Sequence, residues 1–380
     1  MKNQPTNPFV TGGYLGPAYF CNRKNEASHL LQAISSKRNV TLISLRRMGK
    51  TGLLKHVEQL LEQEKNPLSV VYVDLLPTMN GSEMLTVLSS ALIRLKKNEK
   101  NFFEKILAVL SNLRPKLSFD SLTGQPSLQL TLESSNDIQN SFDHLLGFIS
   151  EIKKSILFII DEFQQIGNYP EKNIEQLLRT VIQSHPNIPF IFSGSSKHML
   201  EPMFTAANRP FYQSSELMYL NKIDEHEYRS FIIELFQSGN RIIKEDALSE
   251  IIKWTRLHTF YVQYVCNLLF ETGQQKINKD MTKRVFYQIL TSSEPLFINY
   301  RNLLPPHQFR LLQAIAIEGG VSQPNSAKFI KTHNLTTASS ITTSLKALAE
   351  KEMIVNENGQ WLVYDVFFSR WLEYHYGSML

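Results

Sequence analysis

The chain has little that could cross-link it or carry it through a membrane. Among 380 residues there are two cysteines, Cys21 and Cys266. They lie far apart and show no metal-ligand spacing, which excludes a disulfide scaffold or a thiolate zinc site and fits buried thiols in a reducing compartment. No run approaches the ~18 apolar residues of a membrane helix, and the opening MKNQPTNPFV lacks the apolar core of a signal peptide. A cytoplasmic protein with no membrane partner is the expectation. Internal repeats and low-complexity tracts are missing too. Charge of one sign is modest: the net charge is +5, with 20% charged and 42% hydrophobic residues. That composition describes an ordinary globular protein and permits a nucleic-acid partner without demanding one. The length suits two or three domains with substantial cores.

What is present is concentrated first in NVTLISLRRMGKTGLL, Asn39–Leu54. A β-branched stretch (Val40, Thr41, Ile43) stops at Arg46-Arg47 and runs into Gly49-Lys50-Thr51. Helical spacing then continues through Leu53, Leu54, Val57, Leu60 and Leu61. Strand, tight loop, Gly-Lys-Thr and helix make up a phosphate-binding P-loop. Its backbone N–H groups, nearest at Met48–Thr51 and continuing to Gly52, face the phosphates at a helix N-terminus. Lys50 would reach the outer phosphates as a point charge, and the Thr51 hydroxyl would ligate Mg²⁺. Ser44 occupies the first-glycine position of G-x-x-x-x-G-K-[ST], where the strand turns into the loop. A Gly-Lys-Thr triplet also occurs in exposed turns, so a second motif has to decide.

SILFIIDEFQQI, Ser155–Ile166, supplies it. Ile156–Ile160 are five apolar residues, suited to a parallel strand buried on both faces. Asp161 and Glu162 follow at its carboxyl end, where open α/β sheets place their ligand crevice. Beside a P-loop, Asp161 reads as the acid that orients the Mg²⁺ shell and Glu162 as the one that positions the attacking water.

Strand and helix patterns alternate from 40 to 196, including SVVYVDLL (Ser69–Leu76) and IPFIFSGSS (Ile188–Ser196). They predict an α/β fold with a doubly wound parallel sheet. Ser82 is the expected cap of a helix running to Leu113, and residues 116–133 read as a hairpin insertion around Thr123-Gly124. Beyond about residue 221 the strand pattern ends. Helical spacing over 225–237, 245–254, 260–271, 279–291 and 294–302 predicts an all-helical lid. After Pro305-Pro306, helices followed by a hairpin at 354–364 predict a winged helix-turn-helix, with Ala338–Lys351 as recognition helix. The expected boundaries are 1–220 for the P-loop core, 221–303 for the lid and 304–380 for the winged helix.

With these pieces in order, the chain resembles the archaeal-type ATPase family, found in archaea and in bacteria of the Bacteroides group, within the broader AAA+/STAND class. The resemblance rests on Tyr19–Glu26, Ser44–Leu54, Phe158–Ile166, Phe192–Ser196, His258–Gln263 and Tyr364–Leu372. It implies ATP binding on the α/β core, a helical lid and a C-terminal winged helix, with nucleotide-dependent homo-oligomers. Carried over by position, Tyr19, Phe20 and Arg23 lie beside the adenine, although Phe20 also suits the core. Ser193 takes the sensor position or caps a turn. Arg209 is an arginine finger or a solvated loop residue, and Arg47, with Arg46, pairs structurally or touches phosphate. Leu257-His258-Thr259 stands where the family's lid motif has Gly-x-Pro.

Two functions follow. One is a Mg²⁺-dependent ATPase that acts as a conformational switch, with an ATP-binding protein lacking turnover as its limiting case. The other is an ATP-dependent DNA-binding regulator or initiator-like protein. For DNA, Ser339, Ser340, Thr342 and Thr343 offer hydroxyls, but Lys346 and Lys351 are matched by Glu350 and Glu352. A P-loop small-molecule kinase is disfavoured, because the adjacent Asp-Glu pair suits water as the nucleophile.

Overall fold

A computed structural model of the chain describes residues 6–64, 68–95, 106, 108, 116–119, 126–129, 135–151 and 155–377. The chain forms two compact units, residues 13–222 and residues 223 onward, the latter joined by the segment that ends at Gly12.

The first unit is built on strands β1 (Val40–Ser44), β2 (Ser69–Asp74), β5 (Ile156–Asp161), β6 (Phe190–Gly194) and β7 (Glu216–Leu220). They lie in the order β2-β5-β6-β1-β7, and every pairing is parallel. Side chains alternate across a strand, and β5 shows the consequence. Leu157 and Ile159 point to one core, and Phe158 and Ile160 to the other. The first core is closed by α1 (Lys24–Ser35) and α2 (Lys50–Glu62) through Leu30, Ile34, Leu53, Leu54 and Val57. The second is closed by α3 (Gly81–Leu95), α4 (Ser135–Glu151), α5 (Ile174–Ser184) and α6 (Lys197–Thr205). With helices on both faces, the three central strands β1, β5 and β6 are buried along their whole length. The result is the doubly wound P-loop architecture that the alternation predicts.

Two expectations change in this unit, the cap of α3 and the edge strand β7. The cap of α3 is Asn80, not Ser82. The Glu83 N–H donates to Asn80 Oδ1 at 2.9 Å, and Glu83 Oε2 accepts in return from the N–H of Met79, the residue before the cap, at 2.8 Å. The expected continuation to Leu113 lies largely outside the described residues. β7 was not expected from the sequence: its apolar run, Leu217–Leu220, is only four residues long, and at the sheet edge only Met218 and Leu220 are buried. The hairpin is present as β3 (Lys116–Phe119) paired antiparallel with β4 (Pro126–Gln129), while its turn lies outside the described residues.

The second unit begins with α7 (Glu225–Ser238), α8 (Glu245–Trp254), α9 (Thr259–Glu271) and α10 (Lys279–Asn302). It is not wholly helical, since β8 (Ile242–Ile243) pairs in parallel with β9 (Lys276–Ile277). The two helices expected over 279–302 are one, running through Pro295. Phe297, beyond the proline, is buried against Phe368 and Trp371 at ring distances of 5.3 and 5.8 Å. Such packing outweighs the local penalty of the proline.

The winged helix follows as α11 (Pro306–Ile317), α12 (Ala327–Thr332), α13 (Ala338–Glu350), β10 (Ile354–Glu357), β11 (Gln360–Val363) and α14 (Val366–Tyr376). Asn358 and Gly359, at φ 52° and 83°, close the wing as a two-residue hairpin. α14 was not expected from the sequence. Among the described residues no helix is long and apolar enough to cross a membrane.

Candidate functional site

Parallel strands bring their carboxyl ends to one edge, and the registers there pair Asp74 with Asp161 and Ile43 with Gly194. The sequence-predicted acids and the P-loop lysine meet on that edge. Lys50 opens α2, and its Nζ lies 2.6 Å from Asp161 Oδ1 and 3.2 Å from Glu162 Oε1. Lys50 and Asp161 are both almost fully buried, with side chains 8% and 7% exposed. Two charges so poorly hydrated persist only when paired and hydrogen-bonded.

Asp161 meets that requirement with every oxygen engaged. Its Oδ1 also accepts from Ser193 Oγ at 2.7 Å and from the Glu162 N–H at 3.0 Å. Its Oδ2 accepts from Tyr72 OH at 2.6 Å. Burial alone would raise this carboxyl. The Lys50 charge and the hydrogen bonds from Lys50, Tyr72 and Ser193 together outweigh it and hold the group below the usual aspartate range. The same geometry pushes the Tyr72 phenol up, first by burial and then by the neighbouring Asp161 charge.

Glu162 is held differently. It is a non-glycine residue in the left-handed region, at φ 52° and ψ 42°. Its Oε2 accepts from Gln164 Nε2 at 2.5 Å, from Ser195 Oγ at 2.9 Å and from the Ser195 N–H at 3.3 Å. Gln164 reaches it because residue 194 is glycine. A Cβ there would fall 2.1 Å from Gln164 Oε1 and 2.9 Å from Leu200 Cδ2. Gln164 Oε1 itself is buried without a hydrogen-bond partner among the described residues.

The P-loop bends through two left-handed residues, Arg47 at φ 64° and Gly49 at φ 92°. Met48 between them is buried. The side chains of Arg47 and Thr51 are exposed. Among the described residues, α2 has no side-chain cap at Gly49 and no acid in its first turn. Its leading N–H groups and positive dipole end therefore remain available to an anion. Ser44 Oγ, at the end of β1, is buried and finds no hydrogen-bond partner among the described residues.

The segment before α1 supports the loop. Arg23 is buried at φ 68°; its Nη1 pairs with Glu26 Oε1 at 2.8 Å, and its Nη2 donates to the Met48 carbonyl at 3.4 Å. The guanidinium is committed to the P-loop backbone, so it is not a free plane for stacking. Phe20 packs its ring edge onto Gly52, where a Cβ would meet Cε2 at 3.2 Å. The same ring lies 4.9 Å from His56 and 5.7 Å from Tyr14. Tyr19 ends a short 3-10 turn, half-buried.

Arg209 lies apart from this cluster. Its Nε donates to Glu175 Oε2 of α5 at 3.0 Å, and its Nη2 bonds Glu175 Oε1. His258 is buried in the second unit as the residue before α9.

Sequence reasoning missed Tyr72, Gln164 and Ser195. Gln164 and Ser195 stood inside the quoted motifs, but nothing in the order of residues says that they bind Glu162. Tyr72 gave no signal beyond its place two residues before the end of a strand. Among the described residues no cluster of three or more His, Cys, Asp or Glu is placed to hold a metal.

Several comparisons bear on this arrangement. No curated protein sequence is significantly similar. Among solved structures, a Walker-type ATPase of Pyrococcus abyssi superposes with a TM-score of 0.67 at 16% identity, over 96% of this chain and 99% of that one. The ORC2 protein of Aeropyrum pernix, solved as ADPNP-ADP complexes, gives a TM-score of 0.58 at 14% identity, over 96% and 95%. Both are likenesses of fold. A family model described as a probable winged helix domain matches residues 295–374. A second, described as an ATPase domain predominantly from Archaea, matches residues 20–265, and the chain belongs to that ATPase family.

Proposed function

We propose that the chain is a Mg²⁺-dependent ATPase that uses nucleotide turnover as a conformational switch. The observation that carries the reading is the meeting of Lys50, Asp161 and Glu162 beside the uncapped N-terminus of α2. The donor set fits a nucleotide with Mg²⁺. That ion is commonly held by one or two protein oxygens plus phosphate oxygens and waters, and the exposed Thr51 hydroxyl and Asp161 would supply the protein's share. Bound together, the two groups supply the phosphoanhydride to be cleaved and neutralise its developing charge.

The residues divide the remaining work. Met48–Gly52 would present backbone N–H groups to phosphate oxygens, with Arg47 exposed beside them. Lys50 would exchange its carboxylate contacts for phosphate oxygens. Glu162, turned by its left-handed backbone and oriented by Ser195 and Gln164, would take the proton of the attacking water on a carboxylate oxygen. Ser193, through Asp161, would position the acid instead of touching phosphate. Tyr19 and Phe20 would border the base, with Arg23 steadying the loop. Arg209 enters only if it first leaves Glu175.

The test compares two variants with a fluorescent ATP analogue and a phosphate-release assay. Lys50→Ala should lose nucleotide binding. Glu162→Gln should keep it and lose turnover. Absence of any ATP-dependent thermal stabilisation in the unaltered chain would end the proposal.

A second reading, DNA engagement by the winged helix, draws on the outward face of α13. Ser339, Thr342, Thr343 and Lys346 are exposed there, beside Lys328 and Lys331 of α12. Those hydroxyls and amines suit phosphate contacts. Anisotropy titrations with duplex DNA at two salt concentrations test it, and binding that ignores salt, or none, would reject it.

A further inference from the structure

A second cavity lies at the opposite, amino edge of the same sheet. Its volume is about 430 Å³, and its wall includes Lys37, Arg38, Arg179, Gln183, Gln213 and Glu216. Ile182 and Ile188 lie beneath these polar groups, both largely buried. Asn39, the residue before β1, frames the site rigidly. Its side chain accepts from the Phe190 N–H at 3.0 Å, and its carbonyl accepts from the Glu216 N–H at 2.9 Å. Five-residue β1 then runs on to the P-loop, so roughly 17 Å of strand separates the two edges.

The charge in the cavity is unbalanced. Three cations, Lys37, Arg38 and Arg179, face one carboxylate, Glu216. That carboxylate is already taken, by Arg38 Nη1 on one oxygen and by His29 Nε2 at 2.6 Å on the other. Lys37 Nζ spends one N–H on Asn187 Oδ1 at 2.8 Å and has two more. Arg179 is half-buried and has no hydrogen bond or ion pair with any described residue. A guanidinium offers five donors in a fixed fork that matches carboxylate and phosphate oxygens. Lys37, at φ 55°, is the left-handed residue that caps α1: its N–H donates to the Ile34 carbonyl at 3.0 Å and the Arg38 N–H to the Ala33 carbonyl at 2.9 Å, which fixes both cations at the rim.

We propose that this cavity binds a small multivalent oxyanion, with Arg179 as the bidentate anchor and Lys37 as the second charge. The volume exceeds what a single ion needs and falls in the range of metabolite pockets. The site is a single concavity of three cations, not the extended basic track that a nucleic-acid backbone follows. It is independent of the nucleotide reading, because its residues and those around Lys50 are different and lie on opposite edges.

Isothermal titration calorimetry on the full chain tests it, with citrate and inorganic phosphate as separate probes at constant ionic strength. Saturable binding is expected for at least one probe. It should weaken at least tenfold in Arg179→Gln and severalfold in Arg179→Lys, which keeps the charge and loses the fork. Lys37→Gln, on an exposed side chain, gives a second loss should Arg179→Gln fold poorly. Phosphate binding that persists unchanged in both Arg179→Gln and Lys37→Gln belongs to another site such as the P-loop, and is recognised separately in that way. Citrate alone would identify a carboxylate ligand, phosphate alone a phosphorylated one, and both the shared oxyanion chemistry. Equal affinity in Arg179→Gln, Lys37→Gln and the unaltered chain, or heats no larger than the chloride control, would overturn the proposal.

Discussion

Lys50→Ala should do more than remove a phosphate ligand; without any added nucleotide it should destabilise the unit Gly13–Lys222. Lys50 Nζ is the cationic partner of Asp161 at 2.6 Å and of Glu162 at 3.2 Å, and the Lys50 and Asp161 side chains are 8% and 7% exposed. Its loss strands a buried carboxylate beside a second one. Removing one partner of a buried pair costs about 3–5 kcal/mol, whereas an exposed pair is worth about 0–1 kcal/mol. For a unit of this size each kcal/mol moves the melting temperature by about 2–4 °C, so a fall of about 6–20 °C is expected by differential scanning calorimetry. The control is a double-mutant cycle with Asp161→Asn, which removes the stranded charge. The double variant should be more stable than the sum of the single losses predicts. A fall below about 2 °C in Lys50→Ala, or additive losses in the cycle, would refute the idea that this lysine neutralises the buried acid. The result also decides how loss of nucleotide binding in the same variant is read.

Tyr72→Phe removes one short hydrogen bond to a charged acceptor while keeping the ring that Lys55 Nζ overlies at 4.6 Å. Such bonds are worth about 1.5–3 kcal/mol, so Mg²⁺-dependent nucleotide affinity should fall by about ten- to a hundredfold while metal-free affinity stays put; parallel losses would mean a general defect. The Asp161 carboxyl is depressed in the fold, so its stabilisation is complete above its unfolded pKa of about 3.9 and is lost as the pH falls below that toward the folded value. Tyr72→Phe, with one donor fewer, should therefore shift acid unfolding, followed by circular dichroism, to higher pH. Gly194→Ala should displace Gln164 and cost about 1–3 kcal/mol in denaturant unfolding, together with turnover. Burial pushes the Cys266 thiol up, so it should resist alkylation at neutral pH until the chain is unfolded; fast labelling of native protein would contradict this.

Much of the fold was legible because its signals are local. The buried strands spell themselves as a largely β-branched stretch at 40–43 and apolar runs at 156–160 and 190–192, and the Gly-Lys-Thr triplet and the Asp-Glu pair follow the first two. What escaped the sequence depends on tertiary contact. β7 takes its shape from pairing with β1, and α10 continues past Pro295 because Phe297 is packed from the far side. Ser193 reads equally as a phosphate sensor or a turn cap, and only its 2.7 Å bond to Asp161 assigns it to the acid. Arg23 offers a guanidinium to any reader of the sequence, yet its left-handed backbone and the Met48 carbonyl fix it beneath the loop.

The backbone adds an argument that no side-chain motif contains. Asn22, Arg23, Arg47 and Glu162 are non-glycine residues at φ 50°, 68°, 64° and 52°, and Gly49 stands at 92°. A non-glycine residue in this region is uncommon, and one that is held there costs about 1–3 kcal/mol. Arg47 and Glu162 are the two that shape the carboxyl edge of the sheet directly. At Arg47 and Gly49 the bend turns the chain into the start of α2, and at Glu162 it turns the chain straight after β5, so that the carboxylate reaches Ser195 and Gln164. Relaxing Glu162 to an ordinary conformation would recover the strain and forfeit those contacts. The hydrogen bonds from Ser195 and Gln164 are therefore best understood as what holds an acid in an otherwise unfavourable pose, and Gly194 as the space that lets Gln164 do so.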